Sequence, residues 1–288
     1  MQKIQTFLWF DGQAEEAANQ YLSIFKNSKL LSTMPGPGGK PMGLTVELDG
    51  WQFITFNGGP TYHPTPSISF TVSCDTVEEI DRAWAALSDG GKPMMELNKY
   101  PWSERYGWIE DRFGVSWQLT LAKEHRPIAP TLLYSRSQQG KAEEAMNFYL
   151  TQFPNSSIQF IARYEEGEPG PLGQIKYGSF SINGQSFNAM DSGRPMDNPF
   201  TPGISMFINV ETQEEVDWLW DGLASNGGRH DRCGWLQDKY GVSWQVVPTV
   251  LGKVLGGPDR KKAGNAMQAM MKMTKLDIAE LQRAYDEG

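Results

Sequence analysis

The sequence has little cysteine: Cys74 and Cys233 are the two in its 288 residues, and neither belongs to a CxxC pair. Two such residues are too few for a disulfide framework, so we expect a protein of a reducing compartment, the cytoplasm. The N-terminal residues MQKIQTFLWFDG contain one lysine and a short apolar run without a small-residue cleavage site. This pattern is typical of a strand rather than of a signal peptide.

Long apolar runs and an excess of basic charge are also missing. No segment approaches the roughly 20 consecutive apolar residues that a membrane-spanning helix needs. Lys and Arg number 26 against 34 Asp and Glu, which gives a formal net charge of -8. A nucleic-acid-binding face needs clustered Lys and Arg. We therefore expect this protein to bind neither a membrane nor nucleic acid. Its expected partners are small molecules or other protein chains.

What the sequence does contain is an internal repeat. GWIEDRFGVSWQL at residues 107–119 returns as GWLQDKYGVSWQV at residues 234–246. AEEAANQYLSIFKNS at residues 14–28 returns as AEEAMNFYLTQFPNS at residues 142–156. Because the matching segments keep their order, we predict a tandem duplication. The predicted parts are a first domain at 1–122, a linker at 123–130, a second domain at 131–250 and a helical tail at 251–288.

Each repeat has the same order of predicted elements. In the first repeat, the strand TFLWF precedes a helix whose apolar positions recur at helical spacing. The segment GLTVELDGWQFITF follows as two strands, and Asp49-Gly50 between them is a strong hairpin signal. A second strand, helix and set of strands begins at Ile68. Each repeat is therefore predicted to hold two βαβββ modules.

This order of modules, together with LWFDGQAEEAANQYLSIF, NGGP and the repeated GVSWQ, resembles the PhnB-like branch of the vicinal oxygen chelate superfamily. Glyoxalase I, extradiol dioxygenases and bleomycin-resistance proteins belong to the same superfamily, and the branch often carries the label 3-demethylubiquinone-9 3-methyltransferase. The resemblance implies an α+β fold: a tandem duplication of a glyoxalase/bleomycin-resistance-like domain, whose paired βαβββ modules form open cups. In metal-dependent relatives the cup holds a divalent ion on His and Glu ligands.

At the strand position where metal-binding relatives commonly have Glu, this sequence has Gln118 and Gln245. Alternation along the strand directs Gln118 and Ser116 into the cup. An amide lacks the charge of a carboxylate and is a poor ligand for a catalytic divalent metal. The histidines of the chain do not recur between the repeats: His63, His125 and His230. We therefore predict no metal site and no cofactor.

Polar and aromatic residues at matched strand positions predict a ligand-binding cup in each repeat, although the same residues could serve only to fill it. The first repeat supplies Phe7, Trp9, Thr55, Asn57, Ser69 and Gln118, and the second supplies Leu132, Tyr134, Asp191, Ser205 and Gln245. The first repeat also has an insertion, KPMMELNKYPWSERY, with Trp102 and Arg105. It predicts a lid over the first cup or a surface loop with its aromatic residues against the sheet.

Three functions remain open from the sequence. The first is a metal-independent small-molecule-binding protein, the second an enzyme (a lyase, isomerase or oxygenase) with an altered metal site, and the third an interaction protein with vestigial cups. Gln118 and Gln245 favour the first over the second, and the insertion favours a ligand over the third. We expect no methyl transfer, because the glycine clusters PGPGGKPMG and VLGGP lack the strand and helix that hold a nucleotide-derived methyl donor.

The tail has two amphipathic segments. The first carries the apolar stripe Ala263, Ala266, Met267, Met270 and Met271, and the second carries Ile278, Leu281 and Tyr285. An apolar stripe of this size is rarely left in water. The duplication already supplies the partner domain that single-domain relatives obtain by pairing two chains. We therefore predict a homodimer in which residues 263–285 form the contact, with docking on the chain's own domains as the alternative.

Overall fold

The computed structural model describes residues 4–287, so the predicted boundaries at residues 1 and 288 lie outside the described residues. The first repeat contains β1 (Ile4–Phe10), α1 (Ala14–Ile24), β2 (Lys29–Pro35), β3 (Pro41–Leu48), β4 (Trp51–Asn57), β5 (Ile68–Cys74), α2 (Val77–Ser88), β6 (Lys92–Tyr100), β7 (Ser103–Glu110) and β8 (Ser116–Leu121). The second contains β9 (Ala129–Tyr134), α3 (Ala142–Gln152), β10 (Ser157–Arg163), β11 (Ile175–Ile182), β12 (Gln185–Asp191), β13 (Ile204–Val210), α4 (Gln213–Leu223), β14 (Arg229–His230), β15 (Trp235–Gln237) and β16 (Ser243–Pro248). The tail contains α5 (Thr249–Leu255), α6 (Arg260–Met270) and α7 (Ile278–Asp286). This order confirms the predicted βαβββ modules and the helical tail.

The chain divides into two compact units. The larger unit is Thr6–Ile204, and the smaller unit combines residues 4–5 with residues 205–287. The larger unit therefore holds three of the four modules, apart from the first residues of β1. The smaller unit holds the fourth module and the tail.

The larger unit contains an eight-stranded sheet with the strand order β10-β11-β12-β9-β5-β8-β7-β6, called the β5–β12 sheet below. Its two halves meet where β5 pairs antiparallel with β9, with Ile68 opposite Leu132. Within the halves, β5 pairs parallel with β8 and β9 pairs parallel with β12. The sheet thus joins the second module of the first repeat to the first module of the second repeat.

The remaining strands of the larger unit follow the order β1-β4-β3-β2. β1 runs parallel to β4, with Phe7 opposite Ile54, and β3 forms hairpins with β2 and β4. Helix α1 packs against β3 and β4. These strands do not belong to the β5–β12 sheet. The sequence predicted that polar residues of β1, β4, β5 and β8 line one cup. This grouping is wrong, because β1 and β4 lie outside the sheet that contains β5 and β8.

The repeated Asp of the DRFGVSW segment organises a turn and holds a tryptophan. Asp111 Oδ1 accepts hydrogen bonds from the backbone N–H groups of Phe113 (2.8 Å) and Val115 (3.0 Å). Its Oδ2 accepts from the indole of Trp117 (2.9 Å) and the hydroxyl of Tyr21 (2.8 Å). Burial raises the pKa of Asp111, while these donors act in the opposite direction. The carboxylate therefore fixes the turn, the following strand and helix α1 together.

The second copy repeats this arrangement in the smaller unit. Asp238 accepts from the N–H groups of Tyr240 (2.9 Å) and Val242 (3.0 Å) and from the indole of Trp244 (2.9 Å). Trp244 and its counterpart Trp117 are both fully buried. Recurrence of this segment thus reflects a shared folding requirement, and the residue that follows each tryptophan is the Gln singled out by the sequence.

The smaller unit has the strand order β14-β15-β16-β13 and carries the tail helices. The tail packs on its own unit through a cluster of buried residues: Val247, Leu251, Val254, Ala266, Leu276 and Leu281. Of the predicted α6 stripe, Ala266 faces this cluster, whereas Met267 and Met271 stay exposed. Docking on the chain's own unit is therefore present.

No helix within residues 4–287 combines the length and apolarity that crossing a membrane requires.

Candidate functional site

One face of the β5–β12 sheet carries helices α2 and α3. A Cβ on Gly107 would lie 2.5 Å from the Trp84 ring of α2, and a Cβ on Gly178 would lie 2.9 Å from Met146 Sδ of α3. Because neighbouring strand residues point to opposite faces, Tyr106 and Tyr177 point away from the helices. We call this opposite side of the sheet, which carries neither α2 nor α3, the open face, although Gln118 and Ser69 at its centre are themselves buried.

Two tyrosine–amide hydrogen bonds occupy matched positions on the open face. The Tyr106 hydroxyl donates to Gln118 Oε1, and the Tyr177 hydroxyl donates to Asn188 Oδ1, each at 2.8 Å. On the neighbouring strand, Trp108 is the register partner of Gln118, and Ser179 is the register partner of Asn188. In both cases the tyrosine lies two residues before that register partner. The two modules therefore present the same donor–acceptor unit.

A row of hydroxyl groups lies between the two amides at the centre of the sheet. Gln118 Nε2 donates to Ser69 Oγ at 2.8 Å, and Asn188 Nδ2 donates to Thr131 Oγ1 at 3.1 Å. Thr71 and Thr131 share a hydrogen bond of 2.8 Å between their hydroxyls. Ser69 and Thr131 are themselves register partners of β5 and β9. The network consists of neutral hydroxyl and amide groups that satisfy one another.

Aromatic and methionine side chains surround this network. Tyr106, Trp108 and Leu133 form a buried cluster, and the following residues pack against it: Met94, Met95, Tyr100, Met190 and Met196. The Trp108 indole donates to Ser116 Oγ at 2.6 Å, which in turn contacts Met94 Sδ at 3.8 Å. Methionine side chains are flexible and polarizable, so such a wall can adapt to the shape of a small molecule.

The insertion of the first repeat forms a β-hairpin that extends the sheet. Residues 92–106 belong to β6, the turn at residues 101–102 and β7, so the predicted lid is instead part of the sheet's edge. Trp102 stacks on Tyr100 with ring centroids 5.1 Å apart and meets Tyr106 edge-on at 5.6 Å. Its side chain is 63% exposed. Trp102 thus leaves a large aromatic surface in solvent beside the Tyr106–Gln118 pair.

Burial raises the pKa of the Tyr106 hydroxyl and also that of Tyr177. Both phenols therefore stay protonated at neutral pH and act as hydrogen-bond donors rather than as bases. A general acid or base works best when its pKa lies near the operating pH. The chemistry of this network is neutral hydrogen bonding.

The donor set on the open face does not fit a divalent metal. Gln118 uses its oxygen to accept from Tyr106 and its nitrogen to donate to Ser69. Catalytic transition metals prefer imidazole, thiolate and carboxylate ligands. Within residues 4–287, no group of three or more His, Cys, Asp or Glu side chains is placed to hold a metal ion.

Two residues of the predicted set cap helices instead of facing the network. Asn57 Oδ1 accepts from the N–H of Ala14 at 2.9 Å, and its Nδ2 donates to the carbonyl of Pro41 at 3.2 Å. Asp191 Oδ1 accepts from the N–H of Ala142 at 3.2 Å, and its Oδ2 accepts from a second backbone N–H at 3.0 Å. Both residues therefore use their polar atoms at the start of a helix.

Tyr134 and Arg105 also lie on the helix side of the sheet. The hydroxyl of Tyr134 lies 3.4 Å from that of Tyr149 on α3. Arg105 forms an ion pair with Asp81 on α2. Leu133 faces the methionine side chains of the open face. Because Leu132 and Tyr134 flank it in the strand, both point to the opposite, helix side. These residues and Asp191 lie outside the open face, contrary to the predicted cup lining.

The other predicted residues lie on separate strands. Trp9 donates its indole N–H to the carbonyl of Gly59 at 2.8 Å, and Phe7 packs against Phe56 with centroids 5.2 Å apart. The Thr55 hydroxyl donates to a backbone carbonyl of the neighbouring strand β3. In the smaller unit, Gln245 Nε2 donates to Ser205 Oγ at 3.0 Å, as Gln118 does to Ser69. Of the predicted set, the open face brings together Gln118 and Ser69, with Trp102 at its edge.

Sequence reasoning missed the residues that complete the open face: Thr71, Tyr106, Trp108, Thr131, Tyr177 and Asn188. Alternation within β7 contained a signal, because Tyr106 and Trp108 flank Gly107 and must share a face. Nothing local in the sequence of β12 distinguishes Asn188 as the counterpart of Gln118.

Comparisons with known proteins agree with the duplicated architecture. The family profile described as 3-demethylubiquinone-9 3-methyltransferase matches the chain twice, at residues 2–120 and 126–247. A PhnB protein from Bacillus cereus is 40% identical over 42% of this chain and all of its own, with a TM-score of 0.40. An uncharacterized protein of Mycobacterium bovis is 28% identical over 114 residues, which are 37% of this chain and 74% of its own. Glyoxalase I from Zea mays covers 86% of this chain and 94% of its own with a TM-score of 0.55 at 12% identity, a similarity of fold alone.

Proposed function

The chain belongs to the family described as 3-demethylubiquinone-9 3-methyltransferase, whose domain it carries twice, and on this premise we propose that its open face binds a small uncharged molecule. The observation that carries the proposal is the matched pair of hydrogen bonds from Tyr106 to Gln118 and from Tyr177 to Asn188. Small-molecule sites combine apolar walls with a few convergent polar groups that fix orientation. The open face has this composition.

The ligand class follows from the groups that the open face offers. A phenol hydroxyl donates to whichever acceptor it meets, so a ligand carbonyl can replace Gln118 as the acceptor for Tyr106. The released amide then pairs with a ligand N–H or carbonyl. The exposed ring of Trp102, stacked on Tyr100, suits a planar ring. We therefore propose a neutral, planar ligand with at least one carbonyl or amide group.

We propose binding without methyl transfer. Dinucleotide and other nucleotide-derived cofactors are typically held at the carboxyl ends of parallel strands in a doubly wound sheet. In the β5–β12 sheet, β5 runs antiparallel to β9, and β7 runs antiparallel to both β6 and β8. Such strands do not form the crevice that those cofactors occupy.

A thermal-shift screen against a metabolite library and divalent metals tests the proposal, because a ligand that binds the folded state raises the melting temperature. We expect stabilisation by a neutral aromatic compound and none by metal ions. Elemental analysis of the purified protein is expected to find no stoichiometric Zn, Ni, Fe or Mn. A content near one transition metal per chain contradicts the metal-independent proposal.

For a ligand found in that screen, Gln118→Ala is expected to weaken binding about two- to tenfold, since a hydrogen bond to a neutral group contributes about 0.5–1.5 kcal/mol. Calorimetric titration gives the dissociation constants. Gln245→Ala is the matched control, because Gln245 makes the same bond to a serine in the smaller unit. Equal losses in the two variants contradict the assignment of the site to the open face.

We also propose a cytoplasmic location and a homodimer. The outward side chains Met267 (43% exposed) and Met271 (56% exposed) are the apolar part of the predicted contact that the chain leaves uncovered. Light scattering of the full chain is expected to give twice the monomer mass, and Met271→Asp is expected to lower it. A monomer at micromolar concentration rules the dimer out.

A further inference from the structure

The fourth module lacks most of the outer hairpin that its counterpart has. In the β5–β12 sheet, β6 has 9 residues and β7 has 8, and this hairpin supplies Tyr106 beside Gln118. In the smaller unit, β14 has 2 residues and β15 has 3. The residue before the repeated Gly-Trp pair is Tyr106 in one copy and Cys233 in the other. Gln245 therefore has no hairpin of comparable length to cover it.

The tail takes the place of the short outer strand. The N–H of Cys233 donates to the carbonyl of Met273 at 2.9 Å, and the N–H of Gly234 donates to that of Thr274 at 2.8 Å. In the other copy, Tyr106 pairs with Asn98 of β6 in this position. A Cβ on Gly234 would lie 3.0 Å from Leu276 Cδ1, so the glycine permits the close approach of the tail.

The tail also lies on the face of the sheet that carries Gln245. Gln245 bonds to Ser205, so these two side chains share a face. Phe207 follows Ser205 by two residues and Val247 follows Gln245 by two, which places both on that same face. Val247 belongs to the buried tail cluster, and Phe207 packs against it. The surface that corresponds to the open face is thus covered by α5–α7.

Polar contacts fix the tail at the edge of α4. Gln213 Nε2 donates to the carbonyl of Leu276 at 3.2 Å, and Gln213 Oε1 accepts from the N–H of Ile278 at 2.9 Å. Lys275 forms an ion pair with Asp217 at 3.0 Å. These polar contacts hold residues 275–278 and act together with the buried apolar cluster, so the loss of either set is expected to favour release of the tail.

We propose that helices α5–α7 cover the Gln245 surface, which is the face of the smaller unit's sheet that carries Gln245. Their release exposes a second apolar surface with the same Ser–Gln pair as the open face. With the tail docked, the chain offers one such surface to a ligand. The proposal concerns the smaller unit and does not depend on what the open face binds.

The two cysteines of the chain report on tail release. Cys233 Sγ lies 3.6 Å from the Met270 carbonyl, and burial raises the pKa of this thiol. Cys74 is buried in the larger unit, where burial raises its pKa to about 12. Docking of the tail protects Cys233, and folding of the larger unit protects Cys74. The ratio of their alkylation rates therefore separates tail release from global unfolding.

The test is the rate of iodoacetamide labelling of each cysteine in the full chain, read by mass spectrometry. Leu281→Ala removes a fully buried side chain from the tail cluster and is expected to accelerate labelling of Cys233 at least about tenfold, with Cys74 unchanged. Gln213→Ala removes two tail hydrogen bonds without touching the core and is expected to accelerate it about two- to tenfold. Gln268→Ala, at an exposed polar position of α6, is the matched control and is expected to leave both rates unchanged.

Exposure of the surface has its own readout. The dye 1-anilinonaphthalene-8-sulfonate is expected to gain fluorescence with Leu281→Ala and to lose that gain when Phe207→Ser is added. Equal acceleration of Cys233 and Cys74 overturns the proposal, because it means that the tail is released only when the larger unit also unfolds. Unchanged labelling of Cys233 in both Leu281→Ala and Gln213→Ala overturns it as well.

Discussion

Asp111→Asn is expected to lower the free energy of unfolding of the larger unit by about 3 kcal/mol, because an amide nitrogen replaces one acceptor among buried donors. With its oxygen kept toward the backbone N–H groups of Phe113 and Val115, the new amide N–H₂ meets the indole N–H of Trp117. The indole then loses its acceptor in a fully buried position. Urea unfolding followed by tryptophan fluorescence measures the loss.

The matched control is Asp11→Asn, the same substitution at an exposed position near the end of β1. It is expected to change the free energy of unfolding by less than about 0.5 kcal/mol, as surface substitutions usually do. If Asp111→Asn is no more destabilising than this control, the repeated Asp does not hold the turn and the tryptophan together. The recurrence of the segment then needs another explanation, such as a role in binding.

The order of the elements could be predicted from the sequence because the signals for it are local. Helix α2 begins after Thr76, whose hydroxyl accepts from the N–H of Glu79, and α4 begins in the same way at Thr212 and Glu215. Such Thr-x-x-Glu patterns satisfy the free N–H groups of a first helical turn. Because the two repeats align, each element assigned in one half of the chain could also be assigned in the other.

The partner of each module could not be predicted in the same way. Every module presents an apolar face and an edge strand, so its local pattern permits pairing within a repeat or between repeats. Ser69 is joined to Thr131 of the second repeat because β5 pairs with β9, a contact that depends on the packing of whole modules. The predicted site of the first repeat was therefore divided, with Ser69 and Gln118 on one sheet and Phe7 on other strands.

Polar residues at strand ends have the same appearance in sequence whether they cap a helix or face a ligand. Asn57 and Asp191 end equivalent strands, and each accepts from the first N–H of the helix that follows the paired strand. The residue that each meets next differs: Pro41 has no N–H and offers a carbonyl, whereas Ile175 offers an N–H. An amide suits the Pro41 carbonyl and a carboxylate suits the Ile175 N–H, so the choice between Asn and Asp follows from a proline 16 residues away.

Asp191→Asn is therefore expected to lower the free energy of unfolding by about 2 kcal/mol, because its new N–H₂ faces the N–H of either Ile175 or Ala142 in a buried site. Asn57→Asp is the reciprocal variant: it sets a carboxylate oxygen against the carbonyl of Pro41 and is expected to lose a similar amount. Urea unfolding compares both with the native protein. Unchanged stability of Asp191→Asn, combined with weaker ligand binding, would instead assign this carboxylate to a binding site, since a capping residue must affect folding before it affects any ligand.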